Sequence, residues 1–144
     1  MNPGYYAVIA ALSLASALLT WELNVKRGWG GVKASSLVSL ISGLIVYFLR
    51  INPDYGAAVM GASFAAMSTD KVIPNRRWVS ICGLVFAALF LGISSQAFGG
   101  FGGRLGTTSC MSVVMTLGLL RVFGSHKKYP HLLHHKAPEK KIFK

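Results

Sequence analysis

The sequence predicts an all-α bundle of membrane helices. Hydrophobic residues make up 53% of the 144 residues and charged residues only 13%, whereas soluble domains carry about 25% charged residues. The apolar residues are gathered into five uncharged runs, each closed by a few polar or basic residues: residues 1–21, 34–49, 55–69, 78–103 and 105–120. We therefore expect one transmembrane helical domain over residues 1–123 and a basic tail over residues 124–144.

The five runs differ in how easily they would cross a bilayer. A crossing helix needs roughly 17 to 25 residues, and the first and fourth runs satisfy this. The second and fifth satisfy it if Arg50 and Arg121 extend their guanidinium groups to the headgroups. The third run has only fifteen residues. It either crosses as a short helix or enters the membrane and returns on the same side.

Basic residues in the connections favour five crossings, because Lys and Arg accumulate on the cytoplasmic side of membrane proteins. With five crossings and a cytoplasmic C-terminus, thirteen basic residues lie inside, and only Arg50 and Arg104 lie outside. If the third run does not cross, the count becomes eleven inside and four outside. The sequence therefore predicts a multi-pass protein of the cell inner (cytoplasmic) membrane, with its N-terminus outside.

Small residues recur four positions apart in the first three runs, and such stripes let membrane helices approach closely. The three stripes are Ala7, Ala11 and Ala15; Ser35, Ser39 and Gly43; and Ala57, Gly61 and Ala65. The third run consists almost entirely of small residues. We therefore expect its helix to lie among the others, sheltered from lipid.

A glycine-rich segment precedes the fifth run, with five glycines between residues 99 and 106. Glycine permits positive φ, and a helix that starts here, capped by Thr107, Thr108 or Ser109, would present free N–H groups beside Arg104 as an anion site. The alternative is a tight turn with Arg104 anchored at the headgroups. The residues assigned to a solute path or anion site are Gly102, Gly103, Arg104, Gly106, Thr107, Thr108, Ser112 and Thr116.

The hydroxyl residues of this set form a stripe at helical spacing. Thr108, Ser112 and Thr116 could face the serines of the second and third helices and line a narrow hydrated path. Alternatively, Ser and Thr in membrane helices bond to preceding carbonyls or pack across a helix contact. Spacing alone does not separate the two interpretations.

The same segment resembles the signature of the small fluoride channels, four-helix membrane proteins in which paired threonines and serines follow adjacent glycines. The residues that carry the resemblance are Gly102, Gly103, Thr107, Thr108 and Ser112. The spacing differs, the phenylalanines expected after the threonines are absent, and no Gly-rich, Arg-containing segment opens the chain. The resemblance therefore transfers no function to this chain.

The acidic residues argue against an ion-coupled carrier and against an enzyme. Glu22, Asp54 and Asp70 fall at the ends of runs, and Glu139 lies in the tail. The membrane runs thus hold no carboxylate for a proton relay or for acid–base chemistry. We predict a protein that is not an enzyme and needs no cofactor.

The tail is strongly basic, and such clusters beside a membrane attract anionic lipid headgroups. The lysines assigned to lipid binding are Lys127, Lys128, Lys136, Lys140 and Lys141. The alternatives are a simple topology anchor and nonspecific attraction to polyanions, with no specific nucleic acid. His131, His134 and His135 lie close together, but no Cys or carboxylate completes a metal shell, so no metal is predicted.

The leading functional expectation is a channel-like or oligomeric conduit for an ion or a small solute, anions included; holin-like permeabilisation belongs to this class. The alternative is a noncatalytic accessory or scaffold subunit of a larger membrane complex. The expected partners are membrane lipids and either copies of this chain or that complex. A conduit should leave Thr108, Ser112 and Thr116 facing a hydrated cavity below Arg104. A scaffold should bury these hydroxyls between helices and expose an apolar groove.

Overall fold

The computed structural model describes residues 3–68, 72–73, 75–93 and 101–123. Five α-helices make up most of this part of the chain: α1 Pro3–Trp21, α2 Gly31–Leu49, α3 Pro53–Ala65, α4 Arg76–Gly92 and α5 Phe101–Phe123. A short π-helical segment, Glu22–Lys26, continues α1. The described ranges contain no strand, so the all-α prediction is confirmed.

Three segments are long and apolar enough to cross a membrane: Gly4–Lys26, Gly31–Leu49 and Gly102–Phe123. The helices α3 and α4 are shorter, with 13 and 17 residues. At a rise of 1.5 Å per residue, these correspond to roughly 20 Å and 26 Å. The chain is therefore a membrane protein by the length and composition of three of its helices.

Contacts at the helix ends fix the directions of α1, α2 and α3. The Tyr5 hydroxyl donates to Asp54 Oδ2 at 2.8 Å, and Asn24 Nδ2 donates to the Met67 carbonyl at 3.3 Å. The first bond joins the starts of α1 and α3 and the second joins residues just beyond their ends, so the two helices are parallel. Gly31, the first residue of α2, packs against Met67 just beyond the end of α3. Hence α2 runs antiparallel to both.

Two further contacts place α4 and α5. Arg76, the first residue of α4, pairs with Glu22 just beyond the end of α1, with 3.0 Å between Nη1 and Oε1. Arg104 in the first turn of α5 contacts Phe90 near the end of α4. Successive helices therefore alternate in direction along the chain.

The short helix α3 lies at the centre of the bundle and packs against all four other helices. Its buried residues are all small: Gly56, Ala57, Ala58, Gly61, Ala62, Ser63 and Ala65. A Cβ atom at Gly61 would overlap the ring of Phe86 and lie 3.0 Å from Leu105. Only glycine admits this approach, which confirms the expectation that the third helix lies sheltered among the others.

The connection between α2 and α3 has identifiable stop and start signals. Helix α2 ends at Arg50 in the left-handed conformation, with φ 50°, and the Ile51 N–H donates to the Val46 carbonyl at 3.2 Å. This is the bonding pattern of a Schellman cap. Helix α3 then begins at Pro53, and the Asn52 side chain accepts from the Asp54 N–H at 3.0 Å. Pro and an Asn cap are favoured at a helix start.

Two expectations about helix boundaries and faces were wrong. The glycine-rich segment was expected to lead into a fifth helix capped near residues 107–109, but α5 already begins at Phe101. The described glycines from Gly102 onward are therefore helical, without positive φ, and none of the three expected cap residues starts a helix. The packing of α5 against α3 and α4 outweighs a glycine penalty of about 1 kcal/mol per residue.

The small-residue stripe of α1 also faces away from the bundle. Ala7, Ala11 and Ala15 are exposed. The helix packs instead through the neighbouring face, whose buried members are Ile9, Ser13, Ser16, Ala17, Thr20 and Trp21. Small hydroxyl side chains on this face allow the same close approach that the alanines were expected to provide.

Candidate functional site

The residues predicted to form a solute path fall on two different faces of α5. Arg104, Thr108, Ser112 and Thr116 follow each other at intervals of four and are all buried. Gly102, Gly103 and Gly106 are exposed, and Thr107 is half-buried. The inner row and the outer glycines therefore do not share one surface.

The hydroxyls of the inner row are bound by their own helix. Thr108 Oγ1 donates to the Arg104 carbonyl at 2.7 Å, and Thr116 Oγ1 donates to the Ser112 carbonyl at 2.7 Å. Ser112 Oγ donates to the Ser109 carbonyl at 2.8 Å. The side chains of Thr108, Ser112 and Thr116 have no exposed surface. They are packed between helices, with their protons already donated.

Two further contacts tie this row to neighbouring helices. Ser109 Oγ lies 2.7 Å from the Gly61 carbonyl of α3. Ser112 Oγ lies 3.8 Å from Cys82 Sγ of α4. Ser109 was considered only as a helix cap in the sequence, but its hydroxyl lies between the Leu105 carbonyl of its own helix, at 2.6 Å, and the Gly61 carbonyl of α3, and it shares one proton between them.

The serines expected opposite this row form a separate cluster between α2 and α3. Ser63 Oγ lies 2.9 Å from Ser35 Oγ and 3.1 Å from Ser39 Oγ. Ser42 and Ser68 donate to carbonyls within their own segments. The hydrogen bonds of the two serine groups thus hold two different helix contacts together.

Arg104 is the one buried charged residue in the described part of the chain. Its Nη2 donates to the Phe90 carbonyl at 2.5 Å, and its guanidinium carbon lies 4.2 Å from the centroid of the Phe90 ring. The guanidinium therefore caps the C-terminal end of α4, where carbonyls lack helical partners and a cation is favoured. Its Nε is buried without a hydrogen-bond partner.

The sequence interpretation missed a polar face on α1. Ser13, Ser16 and Thr20 are buried there, and Ser16 Oγ donates to the Val59 carbonyl of α3 at 2.8 Å. Their spacing of three and four residues was a readable signal, equivalent to the stripe on α5. Ser13 Oγ and Thr20 Oγ1 are buried without a hydrogen-bond partner.

The outer surface carries one markedly apolar groove, with a volume of about 320 Å³. Residues of α1, α2 and α3 form its walls, among them Leu12, Ile45 and Val59. A second, more open cleft of about 570 Å³ lies at the end of α2 and includes Arg50. Neither depression was apparent from the sequence, because the groove is formed by three helices and the cleft by the fold of the turn between α2 and α3.

The remaining site predictions lie outside the described residues. These are the five lysines assigned to lipid binding and the three tail histidines considered for a metal. Among the described residues, no three His, Cys, Asp or Glu side chains come together. Comparisons of the chain with protein-family models, curated proteins and solved structures find no match.

Proposed function

We propose that all five helices cross a cell inner membrane, with the N-terminus outside and the C-terminus in the cytoplasm. The alternating directions of the helices support this arrangement. Six basic residues of the described chain lie at the end of the bundle where α1 and α3 finish: Lys26, Arg27, Lys33, Arg76, Arg77 and Arg121. Arg50 and Arg104 lie at the opposite end. By the positive-inside tendency, the richer end faces the cytoplasm.

Within that membrane, the function favoured here is that of a noncatalytic accessory or scaffold subunit. The observation that carries this proposal is the outer face of α5. Gly102 and Gly106 lie one turn apart on it, and a Cβ at either would meet no described atom within 4 Å. Cys110 continues the same exposed face. A second membrane helix could approach this face as closely as α3 approaches its neighbours, so we assign it to a partner helix.

The inner row of α5 also favours a scaffold over a conduit. A hydrated path would require hydroxyls turned toward water, whereas Thr108, Ser112 and Thr116 are buried and donate to carbonyls or helix neighbours. Because these protons are donated within α5, the small side chains can be packed dry between helices, as a scaffold requires.

A conduit for small anions is the second candidate, and it rests on Arg104. A buried guanidinium whose Nε has no hydrogen-bond partner retains a donor for an anion, and buried cations often mark solute routes in membranes. Such a route would need the Arg104 side chain to leave the Phe90 carbonyl. The anion would then pass at the outer end of the bundle or between two copies of the protein.

Photocrosslinking in living cells tests the scaffold proposal. A photoreactive amino acid in place of Val114, an exposed residue of α5, should give one product of defined mass. Gly106→Leu should abolish that product, because the larger side chain blocks close approach. Gly92→Leu, at an open position of α4, should leave it unchanged.

Flux into liposomes separates the two candidates. A scaffold should give no chloride, nitrate or potassium flux above that of empty liposomes. Flux that falls in both Arg104→Ala and Ser112→Leu, combined with no discrete crosslink at residue 114, would reject the scaffold in favour of the conduit. Circular dichroism of each variant verifies that the helices remain folded.

A further inference from the structure

Two depressions meet on the outer surface where α2 turns into α3. The apolar groove of about 320 Å³ and the open cleft of about 570 Å³ share Val46 and Ile51 as walls. Arg50 lines the cleft, whereas the groove is enclosed almost entirely by apolar side chains. The combined surface therefore has a cationic end and an apolar end.

The groove runs along the helices, away from the end of the bundle. Its wall on this side extends from Ile51, just beyond α2, back to Ser42, about two turns inside the helix. Val8 and Leu12 of α1 form the opposite wall, and Val8 is 44% exposed. This is the course of a lipid chain that enters the hydrocarbon from the headgroup level.

Arg50 occupies a backbone position that glycine would fill more easily. It is the one non-glycine residue with positive φ in the described chain, and this conformation costs a residue with a Cβ roughly 1–2 kcal/mol. The cap at the end of α2 requires the conformation but not the side chain. The side chain of Arg50 is therefore not needed for the cap, and its charge is free to serve another contact.

The charge of Arg50 is not neutralised by an ion pair among the described residues. Asp54, the acidic residue of the adjoining turn, accepts the hydroxyl hydrogen bond of Tyr5. A guanidinium with unused donors matches a phosphate, which it can bind in bidentate fashion.

We propose that this surface binds one diacyl phospholipid, with its phosphate on Arg50 and one acyl chain in the groove between α1, α2 and α3. Apolar surface alone cannot select this ligand, because bulk lipid is equally apolar. The affinity for the phospholipid must come from the contact between Arg50 and the phosphate, and the groove holds the acyl chain beside that contact. The groove is formed by α1, α2 and α3 and shares no lining residue with the outer face of α5, so the lipid proposal does not rest on the partner face proposed there.

Native mass spectrometry of the purified full chain tests the proposal. The protein in detergent is titrated with phosphatidylglycerol and, separately, with diacylglycerol that carries the same acyl chains. The chain should retain one phosphatidylglycerol. Arg50→Gly should weaken this binding about tenfold or more, and Arg50→Lys should keep most of it. Because glycine suits the backbone at this position, the loss cannot be attributed to misfolding.

A second pair of variants tests the groove. Val8→Trp fills it and should weaken phosphatidylglycerol binding, whereas Leu40→Trp, on the exposed outer face of α2, should not. Equal retention of phosphatidylglycerol by Arg50→Gly and the original chain would overturn the proposal. Equal retention of diacylglycerol and phosphatidylglycerol would overturn it too. A dimer that Val8→Trp disrupts, without a bound lipid, would assign the groove to a second copy instead.

Discussion

Helices α2 and α3 are neighbours in the chain and pack side by side, yet they have opposite compositions and positions. Helix α2 lies at the edge, and its large side chains face outward: Leu40 is 60% exposed and Tyr47 77% exposed. Helix α3 lies at the centre and buries glycine, alanine and serine. In lipid, a large apolar side chain gains little by moving inside. Small size, which permits close backbone approach, therefore decides which helix occupies the interior.

Small size also determines which polar side chains are buried in this bundle. The buried polar residues of the described chain are serines, threonines and Arg104. Serine and threonine are small enough for a helix contact and can donate to a carbonyl there. Ser63 on α3 and Ser16 on α1 both do so. The buried polar residues are thus mostly small, and they lie beside a few large apolar side chains such as Phe86 and Phe90, whereas the outer face of α2 is large and apolar.

The largest effect is expected at Gly61 on α3. In Gly61→Ala the new Cβ would overlap the fully buried ring of Phe86 and approach Leu105. Overpacking of this kind destabilises a core by about 1–3 kcal/mol. The thermal unfolding midpoint of the purified protein in detergent should fall accordingly.

The matched control is Gly43→Ala on α2. The nearest atom to its new Cβ is Met60 Cε at 3.9 Å, an ordinary contact. Alanine is favoured over glycine within a helix by about 0.5–1 kcal/mol, so the midpoint should stay the same or rise. If Gly61→Ala and Gly43→Ala lowered the unfolding midpoint equally, the central helix α3 would be packed no more tightly than the edge helix α2.

An intermediate effect is expected at the serine cluster. Ser63→Ala removes the partner of both Ser35 and Ser39. Hydrogen bonds between membrane helices contribute about 0.6 kcal/mol on average and up to about 1.7 kcal/mol. We expect a loss within this range in the free energy of unfolding measured by denaturant titration.

Ser36→Ala on α2 is the control for the serine cluster, because Ser36 is exposed. It should change the free energy of unfolding by less than about 0.5 kcal/mol. If Ser63→Ala proved as neutral as Ser36→Ala, the cluster would contribute nothing to the contact between α2 and α3, and packing alone would hold the two helices together.

The central position of α3 could be predicted from the sequence, because almost every residue of the third run is small. Spacing alone was not sufficient, since the equally spaced Ala7, Ala11 and Ala15 of α1 are exposed. The start of α5 could not. Its glycines have a low helix propensity, and the packing of Leu105 and Ser109 against the bundle overrides that propensity. Propensity is a local property, whereas this packing depends on residues more than forty positions away, such as Gly61.

The candidate site was only partly predictable for a related reason. Helical spacing places Arg104 and Thr108 on one face and Gly102 and Gly106 on another, but spacing does not say which face lies inside. The neighbouring helices decide that. The cleft at Arg50 and the adjoining groove were not readable at all, since the cleft depends on a left-handed residue and the groove on walls supplied by three separate helices.

The smallest effect is expected at Leu40 on the outer face of α2. In Leu40→Ala the lost side chain would face hydrocarbon whether the helices are packed or separated, so the free energy of unfolding should change by no more than about 0.5 kcal/mol. Denaturant titration at two protein concentrations measures this. A larger loss that grows with protein concentration would mean that a second copy covers this face. The outer face of α2 would then be buried in an oligomer, and the difference in burial between α2 and α3 would apply only to the single chain.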